Sequence, residues 1–225
     1  MAPKISFSIM ERVRKGRGLT PEMEQAMDEG NIPQWFVDSC HKIKYMFPRG
    51  HAVAYTMMAF RIAYYKVHLP AEFYAVYYTV RADAFDVTSA SGGADRVLCN
   101  IKELEKQGQQ TKDSAEKKRI KELQTILEVV YEMNLRGIEL LPVDIYRSQA
   151  TKFTIEGGNI RPPFNAIPGV GDTAAVSLVE NRGSDAFLSI EDFRTRTGAN
   201  SGVVTALERC GSFADLPKEN QISLF

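Results

Sequence analysis

Cysteine is scarce in this chain: Cys40, Cys99 and Cys210 are its three cysteines in 225 residues, far apart and with no C-x-x-C pair. That number and spacing exclude a disulfide framework and leave no zinc site to expect; they point to free thiols in a reducing compartment. Net charge is lacking too, since 28 Lys plus Arg balance 28 Asp plus Glu. Global charge therefore does not announce a nucleic-acid binder, and any such surface must be local. No apolar run reaches the length of a membrane span, because the longest is broken by Arg61 and Lys66. Residues Met1 to Met10 are too short in apolar length and too weakly patterned for a signal peptide. Together these absences lead us to expect a cytoplasmic setting and no membrane.

What is present is the composition of a globular protein, 44% hydrophobic and 25% charged, with enough chain for one ordinary domain or two small ones. Charge is uneven along it. Lys4, Arg12, Arg14, Lys15 and Arg17 are opposed nearby by Glu11 alone. Lys42, Lys44, Arg49, Arg61 and Lys66 follow, interleaved with Tyr45, Phe47, Tyr55, Tyr64 and Tyr65. Cations mixed with aromatic rings suit phosphate and base contact, although solvated charge beside a core has the same look.

The first half reads as helices. Thr20-Pro21-Glu22 is a helix start and Gly30 its end. Pro33 opens a second helix, with Phe36, Val37, Cys40, Ile43 and Phe47 on one face until Pro48 and Gly50 break it. From His51 to His68 the chain is apolar nearly all round, which predicts a buried helix. Another runs from Ala71 to Val80, and Thr88 to Gly93 reads as a loop. Ile120, Leu123, Leu127 and Val130 stripe a charged helix that closes at Arg136-Gly137. A boundary is placed between Gly137 and Pro142. Gly157-Gly158 then turns a small hairpin between Lys152–Ile155 and Asn159–Arg161. Helical periodicity returns after Gly171 and runs to Phe213, with a tail from Pro217 to Phe225.

Three segments could carry chemistry. In Ile167-Pro168-Gly169-Val170-Gly171, followed by Asp172, Thr173 and a helix, a glycine-hinged turn lets backbone N–H groups approach an anion. The helix start behind it adds oriented N–H groups, the logic of a helix-hairpin-helix element. Asp172 brings an opposing charge, which backbone N–H groups could occupy if it caps the helix. A dinucleotide G-x-G-x-x-A pattern also fits Gly169, Gly171 and Ala174, but it needs a βαβ unit, and prolines crowd the approach. A purely structural turn is the plainer alternative. The second segment sets Lys44, Phe47 and Arg49 before His51 and Tyr55, which are one helical turn apart. It could hold a triphosphate and stack on a base, or be the edge of a packed helix. The third is the terminal Gln221-Ile222-Ser223-Leu224-Phe225, an apolar ending that suits a peptide docking into a pocket, or a tail folding back on its own domain.

Taken together the residues resemble the C-terminal region of the PolC-type alpha subunit of bacterial DNA polymerase III, over essentially the whole chain. The most specific stretches are Ile43 to Pro48 with His51 and Tyr55, then Arg61 to Lys66, Tyr78 to Ala82, Asp144 to Ala150, Pro162 to Gly169, and Gln221 to Phe225. The resemblance implies a mainly α fold with a small β element. Residues 1–137 would be polymerase fingers, 138–216 a duplex-DNA-binding domain with a helix-hairpin-helix, and 217–225 a flexible clamp-binding tail. It implies nucleotide contact at Lys44, Phe47, Arg49, His51 and Tyr55. Backbone grip on duplex primer-template DNA falls to Pro168, Gly169, Val170, Gly171 and Thr173, and sliding-clamp binding to Gln221, Ile222, Ser223, Leu224 and Phe225. Arg49-Gly50 stands where the family more often has a lysine and an alanine.

The family reaction is template-directed addition of deoxynucleotides, which needs acidic ligands for two metal ions. The resemblance puts those aspartates in the palm, ahead of the fingers. Asp83 and Asp86 match the family's ordinary stretch here and not its metal site. The chain alone is therefore expected to carry no catalytic residue, metal or cofactor, with magnesium and the opposite wall of the nucleotide site belonging to the full-length enzyme. The competing expectation is a free-standing adaptor that joins duplex DNA to the clamp. Exposed apolar surface at Ile5 to Met10 and along the helix after His51 would favour a polymerase fragment.

Overall fold

The computed structural model describes residues 1–213 and 216–219; the terminal segment Gln221–Phe225 lies outside the described residues. The chain is mainly helical with one two-stranded sheet, and it divides into two compact units, Met1–Ala63 and Tyr64–Phe225.

The first unit holds α1 (Pro3–Arg14), α2 (Pro21–Glu29), α3 (Gln34–Lys42) and most of α4 (Arg49–His68). Prolines open α1 and α2, where the missing N–H costs nothing, and Thr20 and Gly30 bracket α2 as the sequence predicts. A small core of Ile9, Val13, Met27, Val37 and Cys40 ties the first three helices together. The third helix is shorter than expected. It stops at Lys42, where Ile43 turns extended, and Met46 N–H is donated to the Arg14 carbonyl at 3.0 Å. That bond draws residues 43–47 across the end of α1 and away from the helical path.

The largest difference concerns α4. The all-round apolar pattern predicts burial, yet none of its residues is buried, and Phe60 is 74% exposed. The helix is long enough to be continuous, but the described residues do not supply the surfaces that would cover it.

The second unit is built on one core. Here α5 (Pro70–Val80) buries Tyr74 and Tyr78 completely against α8 (Ser114–Leu135), which itself contributes Ile126, Leu127, Val130 and Met133. Each such ring or branched chain, fully buried, gains roughly 1.5–3 kcal/mol. Between them lie α6 (Val87–Ala90) and α7 (Gly93–Gln110). The expected loop at Thr88–Gly93 thus contains a short helix. Asp86 nucleates it by accepting N–H bonds from Thr88 at 2.8 Å and Ser89 at 3.3 Å. Gly137, at φ +79°, ends α8 as predicted.

The hairpin β1 (Thr154–Glu156) and β2 (Asn159–Arg161) pairs antiparallel through Ile155 opposite Ile160. Then come α9 (Asp172–Asn181), α10 (Ile190–Thr197) and α11 (Ser201–Arg209). Their buried residues, among them Leu178, Phe193 and Leu207, belong to the same core as Tyr74 and Tyr78. The residues before and after the 137/138 division therefore share one interior. Two stretches distant in sequence interlock beneath the hairpin: Ser148 Oγ donates to the Pro162 carbonyl at 2.8 Å, and the N–H groups of Phe164 and Asn165 donate to Gln149 and Ala150 at 3.0 and 3.1 Å. Arg161, almost fully buried, donates to Glu156 at 2.6 Å and to the Pro142 carbonyl at 2.7 Å.

Candidate nucleic-acid interface

The turn that enters α9 is built from its sequence. Val170 N–H is donated to the Ile167 carbonyl at 3.0 Å, closing a four-residue turn with Pro168 second and Gly169 third. Proline pre-sets the second position, and the third needs positive φ, which Gly169 adopts at +93°. Ile167 and Val170 are buried and anchor the turn, while Pro168, Gly169 and Gly171 are exposed at its tip. A short 3-10 turn, Phe164–Ala166, holds it from behind.

The consequence is a set of open donors. Gly171 is the N-cap of α9 and offers no side chain to cap it. The N–H groups of Gly169, Gly171, Asp172 and Thr173 have no acceptor among the described residues. They sit at a helix N-terminus, where the partial positive charge favours an anion. Val170 plays a different part, since its N–H is spent inside the turn. Asp172 is not the cap, as expected, but the first helical residue. Its carboxylate accepts the Asn165 side-chain amide at 2.9 Å, a pairing that nothing in the intervening sequence signals. The dinucleotide alternative fails here: the one sheet among the described residues is an antiparallel hairpin, with no βαβ unit.

The remainder of the segment is braced from α10 and the loop before it. Arg182 donates to the Ser148 carbonyl at 2.7 Å. Arg196 donates to the Arg182 carbonyl at 2.5 Å and lies 4.3 Å from the centre of the Phe187 ring. Tyr146 stacks on Phe187 and accepts its N–H at 3.0 Å. These arginines are therefore structural ties rather than free cations.

In the first unit the structure brings together Phe47, His51 and Tyr55. Ring centres are 4.7 Å apart for Phe47 and His51 and 4.1 Å for His51 and Tyr55, and Tyr45 continues the row 6.0 Å beyond Phe47. All four are exposed. Arg49 begins α4 and Lys44 precedes it in the loop; neither has an ion-pair partner among the described residues. The Lys44 carbonyl can approach this closely only because residue 16 is glycine: a Cβ there would lie 1.8 Å from its oxygen. The N-terminal basic cluster is less available than its composition suggests. Arg14 and Lys15 both pair with Glu11, at 3.0 and 2.7 Å, and pull its carboxyl down to about 2. Arg12 is bonded to the carbonyls of Arg17 and Gly18.

Among the described residues no group of three or more His, Cys, Asp or Glu side chains is placed to hold a metal ion. Asp86 is occupied by its helix-capping bonds. Among the same residues no helix is long and apolar enough to cross a membrane.

The family model described as a helix-hairpin-helix motif matches residues 137–222. The second unit contains that motif. Over its whole length the chain is similar to part of DNA polymerase III PolC-type. It is 48% identical to the Clostridium perfringens protein over 225 residues, 100% of this chain and 15% of the relative. It is 49% identical to the Caldanaerobacter subterraneus protein, again over 100% of this chain and 16% of the relative, and 46% identical to the Bacillus subtilis protein over 100% and 15%. The chain thus spans about 15% of the length of the curated relatives it matches.

Proposed function

We propose that this chain is the C-terminal region of a PolC-type replicative polymerase and grips duplex primer-template DNA by its sugar-phosphate backbone. The observation that carries the reading is the exposed turn at Gly169 and Gly171, where the N–H groups of Gly169, Gly171, Asp172 and Thr173 have no acceptor among the described residues and a Cβ at either glycine would meet nothing within 4 Å. Backbone donors bind phosphate without reading a base, as a replicative enzyme requires. In this reading 138–216 is the duplex-binding domain and 1–137 the fingers. Lys44, Phe47, Arg49, His51 and Tyr55 face the incoming deoxynucleoside triphosphate. Gln221–Phe225 docks on the sliding clamp. Template-directed synthesis, with its magnesium, belongs to the full-length polymerase working in the cytoplasm.

The uncovered apolar surface favours this reading over a free-standing adaptor. Ile5, Phe7 and Met10 on α1 and most of the large apolar side chains on α4 are exposed. Exposed apolar side chains in this number suit an interface, and in this reading the remainder of a polymerase covers them. The test is binding of the chain to blunt duplexes of unrelated sequence across a salt series. Equal affinity for all sequences and a shallow slope, on the order of a few counterions, is expected. Binding that depends on sequence, or none at low salt, would overturn the reading.

A further inference from the structure

On the second unit, lined by none of the residues of the turn at Gly169, a cleft of about 420 Å³ opens between the start of α7, the segment around Pro142 and the end of α11. Its volume is in the range of small-molecule sites, about 300–1,000 Å³, and is ample for more than a bare anion. Two arginines reach it from different helices, Arg96 from α7 and Arg209 from α11. Among the described residues neither has a carboxylate partner and no acidic side chain lines the cleft.

Asp86 lies close enough for its charge to act on Cys210 in the cleft wall, but its oxygens are taken up by hydrogen bonds and it pairs with neither arginine. One of its oxygens accepts from Thr88 N–H at 2.8 Å and Thr88 Oγ1 at 2.6 Å, and the other from Ser89 Oγ at 2.8 Å. Arg96 is steadied, because its stem folds over Gly92, where no side chain stands in the way. The opposite wall is apolar, with Val87, Pro142 and Val143. The hydroxyls of Thr88 and Ser91 donate to Asp86 and to the Val87 carbonyl, which leaves their oxygens as acceptors toward the cleft. Cys210 completes it as a neutral wall, since burial, with Asp86 nearby, pushes its thiol up.

We propose that this cleft binds a phosphate ester of nucleotide size, its phosphate between Arg96 and Arg209 and its sugar or base against Val87, Pro142 and Val143. Guanidinium groups bind phosphate oxygens through paired N–H donors, and two unpaired ones facing a part-apolar cleft match a phosphate with an organic substituent better than a free ion. Each alone would be an ordinary solvated arginine; the two differ in lining one cleft from separate elements with no ion-pair partner among the described residues. The same chemistry is offered by a free mononucleotide and by one nucleotide of a strand.

Calorimetry on the full chain distinguishes these sources, using deoxyadenosine monophosphate, deoxyadenosine and a short deoxyadenosine single strand. The monophosphate or the strand should bind, deoxyadenosine at least about tenfold more weakly, and Arg96→Gln and Arg209→Gln should each cost about tenfold or more. Both residues are exposed, so thermal unfolding should be unchanged in the variants. Binding of the strand alone assigns the site to a strand nucleotide; binding of the monophosphate assigns it to a free one. Changes at Gly169 and Gly171 should leave either untouched, which separates this site from the duplex grip. The proposal is overturned if neither probe binds, if deoxyadenosine binds as well as its phosphate, or if either glutamine variant binds like the parent.

Discussion

Gly169 and Gly171 are two residues apart, yet valine should do different things at each. At Gly169 the backbone sits at φ +93°, which costs an L residue about 1–2 kcal/mol and a β-branched one no less. For a unit of this size about 1 kcal/mol moves the melting temperature by roughly 2–4 °C, so Gly169→Val should lower it by about 2–8 °C. Gly171 is an N-cap with ordinary extended dihedrals, φ −79° and ψ 164°, and a Cβ there meets nothing within 4 Å. Valine is a poorer cap than glycine, but it also restricts the unfolded chain, so Gly171→Val should change stability by less than about 1 kcal/mol. Its side chain would nevertheless stand over the open N–H groups of α9. Losing one or two hydrogen bonds to phosphate, each worth about 1.5–3 kcal/mol, should weaken duplex binding about tenfold or more and flatten the salt slope by about one unit per phosphate. Fluorescence anisotropy with a labelled duplex and thermal unfolding by circular dichroism read the two effects separately. A Gly171→Val protein with parental stability, parental affinity and parental salt slope would refute the assignment of the grip to this turn.

Three further outcomes are expected. Glu132 lies between Lys66 at 2.6 Å and Arg136 at 2.7 Å; burial works to raise its carboxyl, but the two cations outweigh it and hold it below the usual carboxylate range. A lowered folded value contributes stability above pH 4.5 that is lost as pH falls through it, so Glu132→Gln should be less stable at neutral pH and lose less on acidification. Parallel melting curves from pH 7 to pH 3 for the two proteins would contradict this. In a full-length polymerase, His51→Ala or Tyr55→Ala should raise the nucleotide concentration needed for primer extension several-fold while DNA binding is unchanged; normal incorporation by both would make the aromatic row a structural feature. Removing Leu224 and Phe225, each able to gain roughly 1.5–3 kcal/mol in a pocket, should abolish binding to a purified sliding clamp in calorimetry without altering duplex affinity. Equal clamp binding by the intact and shortened chains would exclude the tail.

The signals that the sequence made legible were those that act over a few residues. Thr20-Pro21 and Gly30 bound α2, Arg136-Gly137 ends α8, Gly157-Gly158 turns the hairpin and Pro168-Gly169 forms the turn before α9, each because backbone restriction is local. The signals misread were those that depend on what lies opposite. The composition of α4 states that it needs cover, not that the described residues provide it, so an all-round apolar helix appears on the surface. The sequence yields no reading of α7, whose buried Val97 and Ile101 are covered once α8 packs beside it. The same distinction separates the two candidate phosphate sites. A glycine turn that frees its own N–H groups is written in five consecutive residues. Arg96 and Arg209 reach one cleft from different helices, and neither residue alone differs from an ordinary solvated arginine. On the two proposals together, a chain with no net charge would bind phosphate in two ways: with backbone dipoles, which composition does not count, and with side-chain cations that have no ion-pair partner among the described residues.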